Sequence, residues 1–141
     1  MRGTHWAVAL VAFLTISATA GCSESPSGPE GPSVVGTWTG HFRGGSVRMI
    51  LTQSGDEVMG TLNVGARSYL VAGTVAVGGE FQWATDVAQS DCSSYSSSGL
   101  QLETAGSELN GVARRASSAP PCGSGGRVLI QQGSMVLSRA F

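Results

Sequence analysis

From Val34 to the C-terminus the chain alternates apolar and polar residues at a period of two, with glycine-rich breaks about every 12 residues. Successive side chains on a strand point to opposite faces, so this pattern predicts half-buried β-strands joined by tight turns. Eight strands are predicted, at 34–43, 46–53, 57–64, 68–77, 80–88, 100–105, 108–115 and 127–139, the last carrying Gly133 as a bulge or a split. Most are separated by short turn signals such as Arg43-Gly44-Gly45, Ser54-Gly55-Asp56 and Gly78-Gly79; two connections are longer, 89–99 and 116–126. A Val-x-Gly-Thr pattern recurs at Gly36, Gly60 and Gly73, and more loosely at Gly111. Mid-strand glycine normally weakens a sheet, so its repetition points to sharp coiling where a sheet closes on itself. No residues are spare for covering helices, and an open sheet would leave two costly edges. The expected fold is therefore all-β, an eight-stranded antiparallel up-and-down barrel.

The first 33 residues follow a different pattern. Arg2 and His5 precede an apolar run at 6–16, then the small residues at 17–21 and Cys22. This reads as an export signal, too short to span a bilayer as a mature helix. Thr19-Ala20-Gly21-Cys22 resembles a bacterial lipobox, with Thr19 where that family prefers leucine. The resemblance implies a lipidated Cys22 as the mature N-terminus and membrane attachment through that lipid. The residue after Cys22 is Ser23, not the aspartate that resembles an inner-membrane retention signal, so the outer membrane or surface of a bacterial cell envelope is favoured. The segment 23–33, SESPSGPEGPS, cannot build a core and reads as a flexible spacer. The expected organisation is a signal peptide at 1–21, a lipid-anchored tether at 22–33 and a barrel at 34–141.

Composition narrows function mainly by exclusion. A formal net charge of −1 gives no electrostatic case for nucleic acid. All eight basic residues are arginine, which reads as genome bias. His41 is the only histidine left after the signal, and Cys92 and Cys122 lack a CxxC neighbour, so no metal or other cofactor is expected. In an oxidising compartment those two cysteines are free to pair. Cys92 falls in the fifth connection and Cys122 in the seventh, and a meander brings both to the same end of the barrel.

Gly36-Thr37-Trp38 on the first strand, with Arg139 on the last, is similar to the signature of the calycins, the lipocalin and avidin group of barrels. The resemblance implies a tryptophan at the closed barrel floor with an arginine stacked on it, a cation–π contact of about 0.5–2 kcal/mol. The Asp-Tyr motif of lipocalins and their C-terminal helix have no counterpart here, and the polar set that holds biotin cannot be matched.

With Trp38 inward, the pleat places Phe42, Met49, Gly60, Val71, Gly73, Phe81, Trp83 and Met135 on the lumen side, where they are the candidate ligand-lining residues. Two readings of the lumen glycines compete: space for a small apolar ligand, or close strand approach in a packed, empty barrel. His41 points outward as a solvated residue, Ser94–Ser98 reads as a polar rim loop, and Asp86 and Asp91 are too isolated to form a catalytic set with His41. There is no phosphate loop, nucleophile elbow or carboxylate pair, so the chain is not expected to be an enzyme. The leading expectation is an exported, lipid-anchored barrel binding a small apolar ligand in its lumen or at its rim. The alternative is a protein-binding lipoprotein, resembling the small barrel inhibitors of secreted proteases, that uses its rim loops or tether and no cavity.

Overall fold

The structure, a computed structural model, describes residues 31–123 and 125–141. The expected signal peptide, the Cys22 lipidation site and most of the tether lie outside the described residues. Eight strands follow in chain order: β1 Gly36–Phe42, β2 Gly45–Ser54, β3 Glu57–Val64, β4 Arg67–Val75, β5 Glu80–Thr85, β6 Ser94–Leu102, β7 Glu108–Ser117 and β8 Leu129–Ala140. Each pairs antiparallel with the next, and β1 also pairs with β8, so the sheet closes into a barrel without a free edge. The first turn shows how local chemistry sets this register. Phe42 pairs with Gly45, and Arg43 and Gly44 between them both take positive φ, 50° and 80°, as a two-residue hairpin turn needs.

Inward positions bear the apolar residues, and the glycines among them sit between large neighbours. Gly60 lies opposite Leu51 and Val71; Gly73 lies opposite Val58 and Trp83; Gly111 lies opposite Leu100 and Met135. Large side chains therefore lean over small ones and fill the interior. An added Cβ at Gly40, Gly60 or Gly73 would lie 1.9, 2.0 or 2.1 Å from a carbonyl oxygen of the adjacent strand. The glycines thus serve close strand approach. They do not open space.

Most strand ends fall within one to three residues of expectation, and the start of the sixth departs by more. The sixth strand begins at Ser94, so the stretch expected to be a polar rim loop is β-sheet. A register shift between Ser96 and Gly99 breaks the period of two, so Tyr95 and Ser97 face inward on one side of the bulge and Leu100 and Leu102 on the other. Ser97 holds the bulge: its hydroxyl donates to Val112 O at 2.6 Å and accepts from Gly99 N at 3.2 Å. The fifth strand stops at Thr85, where Asp86 ties the chain back to Leu70 through reciprocal bonds of 2.8 and 3.1 Å. Gly133 neither bulges nor splits β8; it pairs with Ala113 in an unbroken register, with the Arg43 stem over its face.

Candidate functional site

The turns after β1, β3, β5 and β7 share one end of the barrel, and the other end is the floor. At the floor Val34 and Trp38 are fully buried, and the indole Nε1 donates to Val34 O at 2.8 Å. The Arg139 guanidinium carbon lies 4.4 Å from the Trp38 ring centroid. Its nitrogens donate to Gly106 O at 2.9 Å, Ser33 O at 3.0 Å and Val35 O. Gln53 accepts from Val34 N and donates to Pro32 O, so the segment entering β1 is fastened beneath the floor. A Cβ on Gly36, where φ is +132°, would press on Arg139 at 3.2 Å. Gly36, Trp38 and Arg139 thus form one assembly, and its geometry is that of a plug.

Met49, Phe81 and Met135 have no exposed surface, and Phe42, Val71 and Trp83 are buried with them in a single cluster that includes Trp38 and Leu62. Zero accessibility means that no water-sized space touches these side chains from inside the barrel or from outside. Phe81 and Trp83 stack at 6.5 Å. The Trp83 Nε1 has no acceptor among the described residues. The lumen residues singled out from the sequence are therefore brought together, but as packing neighbours.

The opposite end is more elaborate. Cys92 and Cys122 are joined, with Cα atoms 5.2 Å apart, and tie the 86–93 loop to the 118–128 loop. Beside them Asp91 grips two strands: Arg67 pairs with its Oδ2, Arg115 reaches the same oxygen at 3.1 Å, and Ser93 N donates to Oδ1 at 3.1 Å. The Ser93 contact first, then Arg67, pulls the Asp91 carboxyl from its ordinary value down to about 2. Beneath it Tyr69 shares a 2.7 Å hydrogen bond with Ser93, and Tyr95 packs edge-on to Tyr69 and Phe42, its phenol raised above the ordinary value by burial. This mouth is closed by aromatic rings under an ionic latch.

The same end carries exposed apolar side chains. Val87 lies in one stapled loop and Val128 in the other. Leu129 and Ile130 open β8 on opposite faces of the strand, yet both are more than half exposed. The β7–β8 hairpin therefore projects past the barrel wall with solvent on both faces.

Sequence reasoning missed Tyr69, Tyr95 and the Asp91 latch. Tyr69 was within reach, since it sits two residues before the inward Val71; Tyr95 was hidden by the bulge, and Asp91 by partners 24 residues away on each side. No protein-family model matches the chain, and no curated protein is similar to it. What the structure defines is a closed eight-stranded antiparallel barrel, compatible with a lipocalin-like fold.

Proposed function

We propose that this chain is an exported, lipid-anchored, lipocalin-like barrel that binds a protein partner at its stapled end, with its lumen serving as a core and not as a ligand site, and that it is not an enzyme. The observation that carries this reading is the lumen itself: the side chains that would touch an apolar ligand already touch one another. The stapled end supplies what protein interfaces use. It offers apolar anchors, Val128 in a stapled loop and Leu129 and Ile130 at the start of β8, beside Arg127, where a covalent bond and an ion pair pre-order the surroundings. Pre-ordering lowers the entropy lost on docking.

Two measurements test it. A naphthalene-type apolar probe should show no saturable binding, and Trp83 emission should not shift; one-to-one binding would restore the ligand-carrier reading. A photo-crosslinking residue at Leu129 should give one discrete protein adduct in intact cells, lost in Ile130→Ser and on reduction. The absence of any discrete adduct would end the protein-binding reading. The anchor is tested by mass spectrometry of the membrane fraction, where diacylglyceryl-Cys22 is the expected N-terminus and Cys22→Ala releases the protein.

A further inference from the structure

We propose that the outer face of β1, β2 and β8 is a second binding site, one that takes an acidic polysaccharide. The register builds it. Arg48 on β2, Thr39 on β1 and Ser138 on β8 form one row across the wall, and Ser46, His41 and Val136 form the next. Thr39, Ser46, Ser134 and Ser138 keep the surface low, Gly44 leaves its backbone uncovered, and Arg43 and Arg48 stand at the sides. The result is a cleft of about 1070 Å³. That is the upper end of small-molecule pockets, about 300–1,000 Å³, and the cleft lies open to solvent, so a chain segment can run through it.

The lining specifies the chemistry. Arg43, Arg48 and His41 face the cleft, and no carboxylate lines it. Neither Arg48 nor His41 has an ion-pair partner among the described residues. The remaining polar groups are hydroxyls and one amide, from Thr39, Ser46, Ser134, Ser138 and Asn63. These both donate and accept, which matches sugar hydroxyls, while the guanidinium groups match the carboxylates of uronic acids. A protein partner would instead call for apolar or aromatic anchors, and the cleft offers only Val136 as an exposed large apolar side chain.

Two further observations agree. Arg43 occupies a positive-φ turn position that asparagine or glycine fits with less strain, and its Nη1 donates to Gln132 O at 2.9 Å, fixing the side chain along the cleft wall. The charges are also unevenly spread along the barrel. Asp56, Glu57, Glu80, Glu103 and Glu108 lie toward the floor with Arg139 as the one cation there among the described residues, whereas Arg43, Arg48, Arg67, Arg114, Arg115 and Arg127 lie toward the stapled end and outnumber its two carboxylates, Asp86 and Asp91. A polyanion is thus attracted to the half of the barrel that contains the cleft and repelled from the other half.

The test is calorimetric titration of the full chain in detergent with oligogalacturonate, set against poly-glutamate of equal charge, single-stranded DNA and neutral dextran, at about 0.15 M salt, where the Debye length is about 8 Å. Oligogalacturonate should bind saturably and at least tenfold tighter than the other polymers. Arg48→Gln should weaken it at least fivefold, and Arg43→Gln combined with Arg48→Gln should abolish it. Arg127→Gln, which removes the same charge outside the cleft, should leave it unchanged, and none of these cleft variants should alter the Leu129 crosslink. Equal binding of poly-glutamate or DNA, an equal loss in Arg127→Gln, or no saturable binding would each overturn the proposal. Because Arg48 is exposed and unpaired among the described residues, Arg48→Gln is expected to unfold at the wild-type temperature, so lost binding reports on the cleft.

Discussion

Replacing Gly60 with alanine adds one methyl group and asks directly what the lumen glycines are for. In an unstrained strand the change stabilises by about 0.4–1 kcal/mol, because the unfolded chain loses freedom. Here the new Cβ would lie 2.0 Å from Ile50 O, and the clash is with backbone, which no rotamer relieves. Relief needs β2 and β3 to separate by roughly 1 Å, a gap that forfeits a quarter or more of the local dispersion energy. It also weakens ladder hydrogen bonds worth about 1 kcal/mol each, on top of an overpacking cost of about 1–3 kcal/mol. The steric effect wins, and Gly60→Ala should destabilise by about 2–4 kcal/mol. At about 4–8 °C per kcal/mol for a domain near this size, Tm should fall by about 8–30 °C. Gly78→Ala is the control, since no atom lies within 4 Å of its Cβ and its φ is outside the left-handed region; it should be neutral or slightly stabilising. Thermal unfolding followed by circular dichroism reads both. Wild-type stability in Gly60→Ala, or a folded Gly60→Leu that has lost an apolar-probe site, would mean that the glycine faces space and that the packed-lumen argument is wrong.

Three other outcomes follow from the two barrel ends. Asp91 has a folded-state pKa near 2, below its unfolded value of 3.8, so the stability it contributes is present above pH 3.8 and lost as pH falls toward 2. Acid titrations of wild type and Asp91→Asn should therefore converge over that window, and a constant stability gap down to pH 2 would refute the latch. Reducing the Cys92–Cys122 bond, which closes a separation of 30 residues, should lower stability by about 3–4 kcal/mol in denaturant melts, and no change would place the loops together without help from the bond. Arg139→Lys keeps the charge but not the fork that reaches Ser33, Val35 and Gly106, so it should cost about 1–3 kcal/mol and quench or shift Trp38 fluorescence; a silent Arg139→Lys would reduce the plug to a charge effect.

Much of this protein was legible in its sequence, because a half-buried strand must alternate and a turn must use glycine. The strand at 57–64 appears with those bounds, the meander order follows from turn spacing, and two odd-numbered connections put Cys92 and Cys122 at one end. Pleat parity alone placed Trp38, Met49, Phe81 and Met135 inside. Local pattern could not tell whether Gly60 and Gly73 open a cavity or admit a neighbouring strand, since that depends on the distance to Ile50 O and Gln82 O across the sheet. Nor could it find β6 from its start, because a bulge cancels the periodicity that marks a strand. His41 and Arg48 look like scattered surface residues along the chain, and Asp91 looks isolated. Closure of β1 onto β8 and pairing of β1 with β2 set His41 and Arg48 over one cleft, and the packing of the mouth brings Asp91 to Arg67 and Arg115. Inside and outside are decided by a residue's immediate neighbours in sequence. Which surface groups meet is decided by strand register and loop packing, which join residues far apart in the chain.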